Sequence, residues 1–139
     1  MIIRNDRGGY VQSYVDKYAK DARAGTRYAI DGQCSSSCSL ILDQRNGLDV
    51  CVTPNAYIGI HKPFAWNKEE NRVSDDPFSI SQARQLWWVY FYPAYPDWLK
   101  AIMKRSGVPS VHDGAQPSEI LIIGFDILSQ HYPVCKVVK

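Results

Sequence analysis

Long apolar runs are missing from this chain. No stretch approaches the roughly 18 apolar residues that a bilayer-spanning helix needs, which excludes an evident transmembrane segment. The densest run, Leu86 to Tyr92, is cut off by Pro93. The N-terminus, Met1-Ile2-Ile3-Arg4-Asn5-Asp6, lacks the extended apolar core of a signal peptide. As written, the cytoplasm is the default compartment; an N-terminus truncated upstream would leave the periplasm open. Basic runs are also missing. Sixteen Lys and Arg against 14 Asp and Glu leave a net charge of +2, so nucleic acid is not expected as a partner. The CxxC spacings typical of zinc sites are absent, and neither metal nor cofactor is expected. There is no internal repeat and no low-complexity segment.

What is present describes an ordinary soluble domain. The 139 residues, 45% apolar and 22% charged, suffice for one domain with a real core. Four cysteines, Cys34, Cys38, Cys51 and Cys135, permit two disulfides in any of three pairings, or free buried thiols in a reducing compartment. Both readings stay open at this level, as does a thiol-redox role for Cys34 and Cys38.

The pattern of elements alternates. Ile2-Ile3 reads as the tail of a strand. Val11, Tyr14, Val15, Tyr18, Ala19 and Ala22 form one apolar stripe, which predicts a helix over residues 9–24 ended by Gly25. A strand over residues 26–30 is expected to close at the turn pair Asp31-Gly32. A helix is expected from Ser35 to Asp43, a turn at Arg45-Asn46-Gly47, and short strands at Val50–Val52 and Tyr57–Ile60. Residues 64–78 read as a polar surface loop. A helix from Ser79 through Tyr90 is expected to break at Pro93 and Pro96, followed by a helix over Asp97–Ser106. Residues 107–118 read as loop, with strands at Ile120–Ile123 and Val134–Val138. Strands alternating with helices predict an α/β fold with a largely parallel sheet.

The chemistry concentrates in the first half. Gly32-Gln33-Cys34-Ser35-Ser36-Ser37-Cys38 is a small-residue turn presenting a serine at a predicted helix start. His61 closes the short strand Tyr57-Ile58-Gly59-Ile60. A serine hydroxyl needs a base within hydrogen-bond reach to become a nucleophile at neutral pH, and histidine is the usual one. Gly8-Gly9 offers bare backbone amides that could hold an oxyanion. Read without further context, Ser35–Ser37 could equally cap a helix, and His61 could be an ordinary strand-end residue.

Three segments, in order and spacing, resemble the ClpP/crotonase superfamily and in particular its ClpP-like serine peptidase branch. Asn5-Asp6-Arg7-Gly8-Gly9 is similar to the family's oxyanion loop. Gly32 to Ser37 is similar to its nucleophile turn, with Ser36 in the nucleophile's place. Pro54-Asn55-Ala56-Tyr57-Ile58-Gly59-Ile60-His61-Lys62-Pro63 is similar to the strand that ends in the catalytic histidine. The Cys-x-Ser-x-Cys form resembles uncharacterised bacterial ClpP-like proteins of periplasmic type. The likeness covers residues 1–63 as a core and leaves 64–139 divergent within a single domain.

The resemblance implies a ClpP/crotonase-like ββα superhelix, here lacking the first strands unless a partner subunit supplies them. It implies Ser36 and His61 as catalytic residues, with Gly8, Gly9 and Ser37 as oxyanion donors. It also implies an acid well beyond the histidine, for which Asp113 is the best-placed residue and Asp97 and Asp126 are alternatives. A Ser–Lys dyad through Lys62 is disfavoured, because on a strand Lys62 points opposite to His61. Ser35 and Ser37 are alternative nucleophiles. The expected substrate is a peptide or protein. Two other functions compete: a catalytically inactive binding or assembly module, and a crotonase-like acyl-thioester enzyme, for which no coenzyme A pocket is evident.

The aromatic block Trp87-Trp88-Val89-Tyr90-Phe91-Tyr92 can bury Trp87, Phe91 and part of Tyr90 on one helical face, leaving Trp88 and Tyr92 to point elsewhere. Aromatics are enriched in interfaces, and the family assembles into rings or trimers, so a homo-oligomer through this region is implied.

Overall fold

β2 (Arg27–Ser35) pairs with three other strands, and the fold is organised around it. The computed structural model describes residues 1–136. β1 (Ile2–Asp6) lies parallel to β2 on one side. On the other side, residues 27–30 of β2 pair in parallel with β3 (Asp49–Val52), and residues 33–35 pair in parallel with β4 (Tyr57–Ile60). A polar hairpin of β5 (Trp66–Asn67) and β6 (Arg72–Val73) lies inside the expected 64–78 loop. β7 (Leu121–Gly124) adds antiparallel to β4. The protein is therefore mixed α/β with a mostly parallel sheet.

β2 runs straight through the Asp31-Gly32 pair, where a turn was expected. Asp31 does not fold the chain back. Its carboxylate accepts bonds from Thr53 Oγ1 at 2.6 Å, Asn55 Nδ2 at 3.1 Å and Arg4 Nε at 3.2 Å, which tie neighbouring segments to the strand. These bonds, those from Thr53 and Asn55 first, hold the Asp31 carboxyl below its ordinary range. Gly32 marks a close approach: a Cβ there would sit 2.0 Å from the Arg4 carbonyl oxygen. The register slips between Ile3 and Asn5, where β2 spends one residue more than β1. Glycine inside a strand signals such a bulge as readily as a turn.

α1 (Val11–Ala24) buries Val11 and Tyr18 and ends at Gly25 in the left-handed conformation, φ 70°. The expected helix at Ser35–Asp43 is a 3-10 turn, Ser36–Leu42. Serines compete for backbone groups there: Ser37 Oγ donates to the Gly9 carbonyl, and Ser39 Oγ donates to the Ser36 carbonyl. α2 (Pro77–Leu86) starts before Ser79 because Asp76 caps it, accepting from Ser79 N at 3.0 Å, with Pro77 in the first turn. It runs into a π-helical turn at Trp87–Phe91 and a 3-10 turn at Tyr92–Ala94, so Pro93 does not stop the chain at once. α3 (Asp97–Ser106) follows as expected. A short 3-10 turn, Val111–Asp113, interrupts the 107–118 loop, and α4 (Phe125–Leu128) follows β7 directly.

The core gathers Ile30, Val52, Ile58, Ile60, Leu99 and Leu128, all fully buried. Each such side chain contributes about 1.5–3 kcal/mol. Trp87 and Phe91 are buried and Trp88 stands exposed, as expected of one helical face, but Tyr92, expected to point elsewhere, is half-buried against the core, its ring 6.2 Å from that of Trp87. Both cysteine pairs are oxidised: Cys34–Cys38 and Cys51–Cys135. The free-thiol alternative is thereby overturned. Val134 bridges Val52 in parallel, and Cys135 N donates to the Val52 carbonyl, so the second disulfide closes a backbone contact already made. Of the expected final strand, residues 137 and 138 lie outside the described residues. No described helix is long and apolar enough to cross a membrane.

Cys51 and Cys135 are 84 positions apart, and a cross-link over so long a loop restricts the unfolded chain strongly. Replacing both with serine is expected to cost about 2–5 kcal/mol in urea unfolding.

Candidate functional site

The pairing of β2 with β4 sets the site. Ser35 lies opposite Gly59, so the two parallel strands end side by side. Ser36 is one residue beyond that pairing and His61 two residues beyond. Gly59 permits the close fit: a Cβ there would meet Ser35 Oγ at 2.4 Å. Ser36 and His61 line a single cavity of about 390 Å³, together with Gly8, Gly9 and Ser37. Phe64, Leu86 and Phe91 form its apolar side.

Ser36 has φ 56°, one of two non-glycine residues in the left-handed region among those described. Serine in that conformation costs about 1–2 kcal/mol, and such strain clusters at functional sites. The side chain is partly exposed, unlike its neighbours: Ser35 and Ser37 are buried and bonded elsewhere, Ser35 Oγ to Gln33 Nε2 and Ser37 Oγ to the Gly9 carbonyl. Neither is placed as an alternative nucleophile.

His61 Nδ1 lies 2.8 Å from the Lys62 carbonyl oxygen. A carbonyl only accepts, so in the neutral imidazole the contact places the proton on Nδ1 and the lone pair on Nε2. This backbone bond occupies the position where an acid was expected. Asp113 is exposed and lines a different cavity, beside Lys62, Arg84 and His112. Asp97 and Asp126 are exposed and line neither cavity. The spacing that suggested Asp113 depends on a downstream helix, and here that region is rebuilt around the π-helical turn and prolines. Lys62 faces away, its Nζ 5.9 Å from the Trp87 ring centre.

Gly8 does not serve as an oxyanion donor, because its N–H donates to Asp6 Oδ1 at 2.9 Å. Its role is spacing. It has φ 86°, and a Cβ would lie 2.8 Å from the Ser35 carbonyl oxygen, Ser36 Cβ and Ser37 N. Gly9 and Ser37 retain amides at the cavity; the Ser37 amide precedes the first bond within the 3-10 turn.

Several residues support the site through contacts that no sequence pattern signals. Asp6 also accepts from Tyr14 Oη at 2.8 Å, so α1 braces the Gly8 loop. Burial, then the bond to Asp6, pushes the Tyr14 hydroxyl up to about 12 and keeps it a donor. Ser39 Oγ, bound to the Ser36 carbonyl, also meets Tyr95 Oη at 2.7 Å. Tyr95 is fully buried, which raises its hydroxyl above the ordinary tyrosine range. Only proximity across 56 positions joins Tyr95 to this turn, so no local motif could reveal it. Cys34 and Cys38 are wholly buried, and thiol–disulfide exchange requires access, so a thiol-redox activity is not supported. Among the described residues no group of three or more His, Cys, Asp or Glu could hold a metal ion.

No protein-family model matches the chain, and no curated protein does so either.

Two substitutions separate the glycines. Gly8→Ala is expected to destabilise by at least about 2 kcal/mol, through backbone strain and overlap with the Ser36 turn. Gly9→Ala, whose Cβ would meet only Tyr14 Cε2 at 3.7 Å, is expected to stay within about 0.5 kcal/mol. Ser36→Gly should raise stability by up to about 1 kcal/mol, since glycine accepts φ 56° at no steric cost but is freer when unfolded. Urea denaturation measures all three.

Proposed function

We propose that this chain is a serine hydrolase acting on peptides, with the ClpP-like arrangement that residues 1–63 resemble. One observation carries the reading: a partly exposed serine in the left-handed conformation shares a cavity with a histidine whose Nε2 bears the lone pair. Ser36 Oγ attacks the substrate carbonyl carbon while His61 Nε2 takes its proton. The amides of Gly9 and Ser37 are the donors that would hold the oxyanion. Collapse of the tetrahedral intermediate breaks the C–N bond, and His61 returns the proton to the leaving amine. Water then attacks the acyl-serine ester, losing its proton to His61 and restoring Ser36.

The Lys62 carbonyl orients the imidazole without an acid. It fixes the tautomer, as a triad carboxylate would, but brings no full negative charge to stabilise the imidazolium. Slow turnover is expected as a consequence. The apolar side at Phe64, Leu86 and Phe91 suits a hydrophobic side chain of the substrate. Two disulfides support an oxidising compartment as the working location. A second reading, a non-catalytic binding module, draws on the absence of a carboxylate at His61 among the described residues.

A fluorophosphonate probe separates the two. Wild type is expected to label at Ser36. Ser36→Ala should abolish labelling, and His61→Ala should slow it at least ~100-fold. Asp113→Asn should leave the rate within about twofold, since no contact joins it to His61. A folded wild type that never labels would favour the binding module.

A further inference from the structure

The Cys34–Cys38 disulfide straddles Ser36, and we infer that it is a positioning device that keeps the Ser36 backbone in its reactive conformation. This rests on the hydrolase reading for its purpose, but not for its geometry. Cys34 is the penultimate residue of β2, and Cys38 is the third residue of the 3-10 turn. Their Cα atoms are 5.1 Å apart. Four extended steps would carry the chain about 13–14 Å, so a chain tied at these two points must reverse between them. Ser35 is extended, φ −119° and ψ 157°, and the reversal falls on Ser36 at φ 56°.

Serine left to itself disfavours that conformation about 5–30-fold. Non-covalent contacts also hold the turn: Ser37 Oγ on the Gly9 carbonyl and the bare Gly8 backbone against Ser35–Ser37 from outside, and Ser39 Oγ on the Ser36 carbonyl from within. The disulfide is the covalent link that closes the segment across Ser36. Both cysteines are fully buried, so a soluble reductant would need the turn to open first. The pair is therefore a fixed clamp and not a fast redox switch.

The test compares wild type with Cys34→Ala/Cys38→Ala, or with Cys34→Val/Cys38→Ala should the smaller pair fail to fold. Leu128→Ala, a core truncation away from the turn, controls for lost stability. Two quantities are measured at a temperature where circular dichroism shows every protein folded. One is the Ser36 backbone conformation from NMR chemical shifts and the HN–Hα coupling. The other is the maximal rate of fluorophosphonate labelling, separated from the probe concentration giving half that rate. The clamp predicts that loss of the disulfide removes the left-handed signature at Ser36. It also predicts a maximal rate about 5–30-fold lower with the half-saturating concentration little changed, while Leu128→Ala keeps both at wild-type values.

An unchanged Ser36 signature without the disulfide would overturn the inference. So would an equal rate loss in Leu128→Ala, which would reduce the effect to stability. Loss of the signature in a protein whose wild type never labels would retire the hydrolase reading and leave the clamp standing.

Discussion

Backbone-to-backbone contact between β1, with its exit loop, and β2 is the constraint on which the candidate site depends. Two glycines make it. At Gly32 the Arg4 carbonyl occupies the space a Cβ would need, and at Gly8 the Ser35–Ser37 backbone does the same. Side chains at either place would push the layers apart. With them absent, the Gly8-Gly9 loop lies against the end of β2, where Ser37 Oγ reaches the Gly9 carbonyl. Asp6 then binds the Gly8 amide and Tyr14, so the loop is tied to α1 as well. At Gly8 and Gly9 the cavity wall is thus bare backbone, while Phe64, Leu86 and Phe91 line it with apolar side chains.

Within the candidate site, strain falls on Ser36 and is surrounded by restraint. Ser36 adopts a conformation that serine avoids, while its carbonyl is held by Ser39 and Ser39 is held by the buried Tyr95. Its flanking residues are buried on both sides. Pre-organisation of this kind trades stability for geometry. The histidine is treated differently. It sits one residue past the end of β4, outside the left-handed region, and is oriented by the carbonyl of the next residue, Lys62, rather than by a distant side chain.

Local patterns revealed much of this arrangement. The stripe from Val11 to Ala22 read as α1 because helical period survives in sequence, and Gly25 ended it in the left-handed conformation. Tyr57–Ile60 read as a strand and was one. Ser36, His61, Gly8, Gly9 and Ser37, the set that the resemblance implies, all line one cavity. What failed did so for physical reasons. Asp31-Gly32 carries the same letters as a turn, but the bulge against β1 uses them differently. The segment after Ser35 has helical composition, yet its serines bond locally and it tightens to a 3-10 turn. Asp113 was placed by spacing alone, and spacing does not survive a rebuilt helical region.

By itself the sequence determined which chemistry this protein can attempt, because residue types carry their chemistry wherever they are placed. A serine among small residues, a histidine at a strand end, paired glycines and an even number of cysteines are all visible in the chain. Only the tertiary structure decided how they are used. It paired Cys34 with Cys38 and Cys51 with Cys135. It assigned the Gly8 amide to Asp6, gave His61 a backbone carbonyl for a partner, and brought Tyr95 beneath the Ser36 turn. Cys51–Cys135 and Ser39–Tyr95 join segments far apart in sequence; Cys34–Cys38, Gly8–Asp6 and His61–Lys62 are near neighbours whose contacts depend on the local backbone conformation, and both kinds are set by how the layers pack.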